Sequence, residues 1–419
     1  MQRKRVILIM VLICLFTIIF MSCGTHKDSS DNGVRGDVNQ YIAETYSDSQ
    51  KRDALLQHAK ALQKVFSATT AEEATTVNLE IIDSLKKIKS LGEISGIDAP
   101  SRIVFRKTFN TPDRLRIMPT YENLLGNHAF KIFSPDDIAL SLNNTARFKL
   151  VSSSILLTSS TADYLVPYIN GMNTSDIDAI YEAMDFAIAI GNHNGNAVAV
   201  ILAYNPTRKF MSDLADVFQQ KLNEYPNVKS DLILKALLYN GFDSALPQPL
   251  QDSIAQYHVN KIKDYGYVSY NDSDLESILV DIRSNMTTGQ KILLVGYSQG
   301  CIYANEIFSK LTTGSDAIAK TAVGIVAIAS PAAYVAKGGY LTSTNDQIIE
   351  LLRLAGFSVL PSNITIGLTT KDLSGHGLID VYLNPDLEGY AEIINLIHAV
   401  MDSLYYPSGG VHPGGWTEV

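Results

Sequence analysis

Cysteine is scarce: among 419 residues only Cys14, Cys23 and Cys301 carry a thiol. The first two lie in or beside an N-terminal apolar stretch. Cys301 is therefore alone in the body of the chain, which excludes an intramolecular disulfide and a cysteine-built metal site there. Basic residues are also in the minority, with 34 Lys and Arg against 43 Asp and Glu and a formal net charge of -9, and no basic stripe stands against that balance. Nucleic acids and anionic surfaces call for clustered positive charge, so neither is expected as the main partner. A Walker A loop, a G-x-G-x-x-G string and an HExxH pair are all missing, and nothing points to nucleotide or metallopeptidase chemistry. What is present is an ordinary globular mix, 46% apolar and 18% charged, with ample material for a core. The length allows more than one domain, or one large domain with an extension.

The N-terminus stands apart from the fold. Gln2-Arg-Lys-Arg5 places positive charge ahead of the apolar run Val6 to Met21, and Ser22-Cys23 follows at once. Basic residues before a short apolar run form an export signal, here residues 1–22. The Ser22-Cys23 junction resembles a bacterial lipobox, with Phe20 where Leu is commonest and Met21 where a small residue is usual. That resemblance implies lipidation of Cys23 and a protein anchored in the cell envelope, facing the periplasm or the exterior. The other reading is a plain membrane anchor with an ordinary cysteine. Residues 23–40, polar and Gly-rich from Gly24 to Asp37, are expected to form a flexible tether.

Between residues 41 and 195 the pattern is helical, then mixed. Leu55, Ala59, Leu62 and Phe66, and then Ile81, Leu85 and Ile88, fall at steps of three and four. They predict two amphipathic helices separated by Ser67 to Thr70. No heptad is sustained, so a helical layer on a larger domain is expected and a coiled coil is not. The segments 102–105, 130–133 and 148–151 are short strand candidates, and Asp176 to Ile190 has helical spacing. No motif in this half carries recognisable chemistry.

From 196 to 405 strand and helix patterns alternate. Strand-like runs lie at 196–204, 232–239 (ambiguous), 292–295, 323–329, 340–342 and 364–368. Helical patterns lie between them, one opened by the capping box Ser273-Asp-Leu-Glu276. Near-continuous apolar strands alternating with helices predict an α/β domain, with a mostly parallel sheet covered by helices on both faces. Residues 406–419 form a Gly/Pro-containing tail.

Gly296-Tyr-Ser-Gln-Gly300 fits G-x-S-x-G. In a chain with 27 glycines the string alone says little. Its position says more, because it falls between the strand ending at Val295 and a helix marked by Ala304, Ile307, Phe308 and Leu311. A nucleophile elbow requires that strand–turn–helix context. Ser298 is the candidate nucleophile; its bland alternative is a helix N-cap. A serine hydroxyl needs a base that is itself oriented by a carboxylate. Three histidines follow Ser298. His376 lies in a Gly-flanked polar loop, His398 in a helix and His412 in the tail, so His376 is the expected base. Asp346, which leaves the preceding strand, is the expected acid. Asp372 is its rival, and Asp346 could instead cap the helix 347–354. For the oxyanion the expected donors are the Gln299 N–H and a group from the loop after strand 196–204. Pro206 has no N–H, which leaves Asn205 or Thr207.

Lys291-Ile-Leu-Leu-Val-Gly-Tyr-Ser-Gln-Gly300, Ile328-Ala-Ser-Pro-Ala332, Asp346 and Gly375-His-Gly377 together resemble the lipase and esterase branch of the α/β-hydrolase superfamily over about residues 196–404. The Gly-rich oxyanion motif of many lipases is absent at Asn205-Pro-Thr207. The resemblance implies cleavage of a small-molecule or lipid ester through an acyl-serine intermediate, without cofactor or metal. A serine thioesterase or peptidase of the same fold is the near alternative. A non-catalytic surface-binding lipoprotein on a hydrolase-like scaffold is the distant one, since fold alone does not prove activity.

Overall fold

The computed structural model describes residues 33–407, apart from 134–161, 207–209, 265–271 and the single positions 94, 127, 128, 240, 242, 355, 370 and 373. The export signal, Cys23, the strand candidate 148–151, Thr207 and all of the tail beyond 407 lie outside the described residues.

Helices come first. α1 (Gly36–Thr45), α2 (Ser49–Lys64) and α3 (Ala71–Ser90) precede α4 (Pro100–Thr108), α5 (Pro112–Leu115) and α6 (Met118–Leu125). The two amphipathic helices expected from the periodicity are α2 and α3, with caps to match. Asp48 accepts from the N–H groups of Gln50 and Lys51, and Thr70 accepts from that of Glu73. The expected tether ends earlier than residue 40. Val34, Val38 and Ile42 are buried, so the chain from about residue 33 belongs to the folded body. Residues 102–105, expected as a strand, lie in α4. Pro100 sits at its first turn, where its fixed φ suits a helix and its missing N–H leaves no gap.

The sheet follows: β1 (Ala129–Phe133), β2 (Tyr164–Ile169), α7 (Asp176–Ile190), β3 (Val198–Ala203), α8 (Phe210–Glu224), α9 (Ser230–Tyr239), α10 (Gln248–Asp264), α11 (Asp272–Asn285), β4 (Lys291–Tyr297), α12 (Gly300–Leu311), β5 (Val323–Ile328), β6 (Gly338–Leu341), α13 (Gln347–Leu354) and α14 (Glu388–Asp402). Its order is β1-β3-β2-β4-β5-β6. β2 to β6 run parallel, and β1 closes one edge antiparallel to β3. This is an α/β protein. Four further expectations are corrected. The sheet begins well before residue 196, since β1 and β2 belong to it. Residues 232–239 form α9, because a short apolar run does not distinguish a strand from a buried helix. Residues 364–368 make a single bridge, Ser343 to Ile364, and no strand. α11 also starts one residue ahead of the expected cap, at Asp272.

Strand alternation divides the core in two. Ile292 and Leu294 of β4, with Ile325 of β5, point at α11 and α12. Leu293 and Val295, with Val326 and Ile328, point at the other layer, built from α7, α14 and the N-terminal helices. α7 is buried on nearly every side, because α2 and α3 cover its outer face. His58 ties the three together: its ring nitrogens bond Ser84 Oγ and Tyr181 Oη, each at 2.8 Å. Burial lowers its pKa to about 3, so it stays neutral. The N-terminal helices therefore share one core with the sheet. Ile42→Ala should lower unfolding stability by about 2–5 kcal/mol, as deletion of a buried branched side chain does. Denaturant titration checks this; a tether would give no change.

Candidate active site

The chain enters β2, crosses outward to β3, and returns past β2 to β4. The strand order thus reverses between β2 and β4, and the carboxyl ends of strands beside such a switch point leave a crevice. Ser298 stands there, directly after β4. Its backbone is left-handed, with φ of 52°, a conformation that costs a non-Gly residue of order 1–3 kcal/mol and persists only where its surroundings impose it. The imposition is steric and hydrogen-bonded. A Cβ on Gly296 would lie 2.6 Å from the Cys301 backbone, and one on Gly300 would lie 2.2 Å from the Ile169 carbonyl. The Ser298 N–H donates to Ile328 O at 2.9 Å, and its carbonyl accepts from Cys301 N at 2.9 Å. The two glycines of the motif thus let α12 turn back against β4 and β2. Ser298 precedes that helix without capping it.

Three distant segments converge on the serine. His376 Nε2 lies 3.0 Å from Ser298 Oγ. Its Nδ1 lies 3.0 and 2.9 Å from the two Asp346 oxygens. Asp346 leads into α13 and also accepts from Ile349 N at 3.0 Å, so the capping role and the pairing with His376 are met by one carboxylate. Tyr382, on a short π-helical turn at Leu378–Tyr382, donates its hydroxyl to Asp346 Oδ2 at 2.8 Å. The Ser343 N–H donates to that same hydroxyl at 2.9 Å. Tyr297 donates its hydroxyl to the His376 carbonyl at 2.6 Å, which holds the loop over the strand. Asp372, the rival acid, is occupied elsewhere. It accepts from the backbone N–H and hydroxyl of Ser374 and from the Gly377 N–H, and so shapes the loop that carries His376.

Burial resists a charge on the His376 ring. The Asp346 carboxylate, its hydrogen bond and the more distant Asp372 and Glu182 outweigh that and raise the pKa above the ordinary imidazole value. Burial pushes the Cys301 thiol up to about 12, so it stays a protonated, inert core group. Among the described residues no cluster of three or more His, Cys, Asp or Glu is arranged to hold a metal.

The expected oxyanion residues come out differently. Gln299 follows Ser298 at the N-terminus of α12, where backbone N–H groups lack intrahelical acceptors. The Asn205 N–H is committed to Asn170 Oδ1 at 2.7 Å, and its side chain donates to Gln299 Oε1 at 3.0 Å. It braces the crevice and has no N–H aimed at the serine. The reason is topological: β3, which leads to Asn205, lies outside β2, so the strand next to Ser298 is β2. The loop leaving β2, Asn170-Gly171-Met172, is the one that passes the serine. A Cβ on Gly171 would stand 2.9 Å from Ser298 Cβ and 3.1 Å from the Tyr297 ring. Among the described residues no hydrogen bond engages the Gly171 or Met172 N–H. Neither this loop nor Tyr382 is marked by any sequence string.

No protein-family model, curated protein or solved structure matches the chain.

The electrostatics give a sign that can be measured. His376 should take up its proton at a pH above the ordinary imidazole midpoint near 6.5. Asp346→Asn removes the carboxylate that raises it and leaves the burial that lowers it, so the midpoint should fall below that of the parent. NMR titration of the His376 ring reads both.

Proposed function

We propose that this chain is a serine hydrolase of the α/β-hydrolase type that cleaves carboxylic esters through an acyl-serine intermediate. The observation that carries the reading is the hydrogen-bonded series Ser298 Oγ, His376 and Asp346 at a left-handed residue between strand and helix. A buried helix cap would need neither the strain nor the histidine. Resemblance of the motif-bearing segments to lipases and esterases points the same way.

In this reading His376 takes the Ser298 proton as Oγ bonds to the ester carbonyl carbon. The carbonyl oxygen becomes an oxyanion, facing the Gln299 N–H and the Gly171–Met172 segment. The intermediate collapses: the carbon–alkoxy bond breaks, and the alcohol departs with the proton held by His376. Water then attacks the acyl carbon as His376 takes its proton; the bond from that carbon to Ser298 Oγ breaks, His376 returns the proton to Oγ, and the carboxylic acid leaves. Asp346 keeps the imidazole in the tautomer whose Nε2 accepts, and stabilises the imidazolium while it lasts. Tyr382 and the Ile349 N–H hold Asp346 in place. We place this chemistry at a membrane surface of the cell envelope, on the strength of the export signal and the lipobox-like Cys23.

A fluorophosphonate probe should label the protein once, at Ser298, and Ser298→Ala should abolish labelling and cut ester turnover by about 10⁴-fold or more. Labelling that survives Ser298→Ala would refute the assignment. Gly171→Ala should move the loop off the serine and lower kcat by about 10²-fold, the scale of one lost oxyanion donor, with a much smaller change in KM. Steady-state kinetics on an activated ester checks it.

A further inference from the structure

His376 lines a cavity of about 150 Å³ together with Met172, Tyr297, the 377–380 turn and residues of α4, α7 and α9. On the reaction scheme above the departing alcohol must lie against the imidazole that protonates it, so this cavity is on the leaving-group side. Apolar side chains, among them Ile97, Met172, Leu238 and Ile348, share its wall with charged ones. Four carboxyl groups line it, Asp178, Glu182, Asp372 and Asp380, against one guanidinium, that of Arg102.

Arg102 is 3% exposed. Its guanidinium lies over the rings of Tyr181 and Tyr239, 5.4 and 5.7 Å from their centroids. Yet it makes no hydrogen bond or ion pair with any described residue. The acids that could have taken it bond elsewhere. Asp178 accepts from Tyr239 Oη and Ser175 Oγ, and Glu182 Oε2 accepts from Tyr168 Oη at 2.8 Å. Asp380 Oδ2 accepts from Ile97 N at 3.2 Å. A guanidinium has five N–H donors, and leaving them without acceptors in a buried place is expensive, so whatever fills the cavity must accept from them. A carboxylate would accept well, but four acids already outnumber the one cation, and a further anion would be repelled. Burial already pushes the Glu182 carboxyl up to about 7 and raises those of Asp178 and Asp380, so the cavity resists further negative charge, while the carboxyl oxygens can still accept from a hydroxyl. Mixed donors and acceptors beside the faces of Tyr239 and Tyr297 suit hydroxyl groups, each of which gives one hydrogen bond and takes another.

We infer that the cavity binds a neutral, hydroxyl-rich leaving alcohol, a polyol or sugar unit, with Arg102 and Glu182 as the residues that select it. This rests on the hydrolase reading. The test uses three butyrate esters that share the acyl group, one of a sugar or glycerol, one of an alkyl alcohol of equal size, and one of a hydroxy acid. The parent protein should favour the polyol ester over the alkyl ester in kcat/KM by at least about tenfold, because a site built to bond hydroxyls rejects an analogue without them. Arg102→Gln, and separately Glu182→Gln, should collapse that ratio toward one. Glu182→Gln keeps the side-chain shape and an acceptor for Tyr168, which guards against a failure to fold in the other variant. Fluorophosphonate labelling of Ser298 runs alongside. Labelling together with preference for the alkyl or the hydroxy-acid ester overturns this inference alone. Absence of labelling overturns the hydrolase reading and this inference with it.

Discussion

The left-handed turn at Ser298 is the constraint around which the site is arranged. Holding a serine at φ of 52° demands that α12 fold back against β4 at a distance where side chains cannot fit, and this is why glycine stands at 296 and 300. The same closeness brings the loop after β2 against the serine and requires glycine at 171. One local strain therefore fixes three backbone segments relative to each other. The hydroxyl is presented at the mouth of the switch point, where two neighbouring parallel strands end.

The N-terminal half, in which no chemical motif is legible, turns out to be half of the setting. α2 and α3 cover α7, and α7 supplies Asp178 and Glu182 to the cavity next to His376. α4 supplies Arg102. Buried ionic groups hold this layer in register: Lys89 pairs with Asp185 at 2.7 Å and with Glu93 at 3.2 Å. Buried ion pairs at Lys89, with a guanidinium at Arg102 that makes no hydrogen bond or ion pair among the described residues, mark the boundary between scaffold and proposed binding surface. A helical layer with no motif of its own thus forms one wall of the proposed active site.

The sequence carried much of this, for identifiable reasons. Period-3.6 spacing located α2, α3 and α7, and near-continuous apolar runs located β3, β4 and β5, because each burial pattern repeats at short range. It failed where short-range pattern is silent. Residues 102–105 and 232–239 are apolar enough for a strand, but they sit in helices that bury them. The segment 364–368 reads as a strand, yet it pairs at one point only. The Gly-rich stretch near residue 33 reads as tether, although Val34 and Val38 have a core to enter.

What the sequence determined by itself was the identity and chain order of the three side chains and the turn that presents one of them. Ser298 sits between a strand and a helix within ten residues of chain, and His376 and Asp346 follow in loops after later elements. What only the tertiary structure decided was which backbone faces the serine. The loop beside it belongs to β2, not to β3, because the chain places β3 outside β2 before returning to β4. Adjacency in a parallel sheet is set by the crossovers, and these leave no local mark in the order of residues.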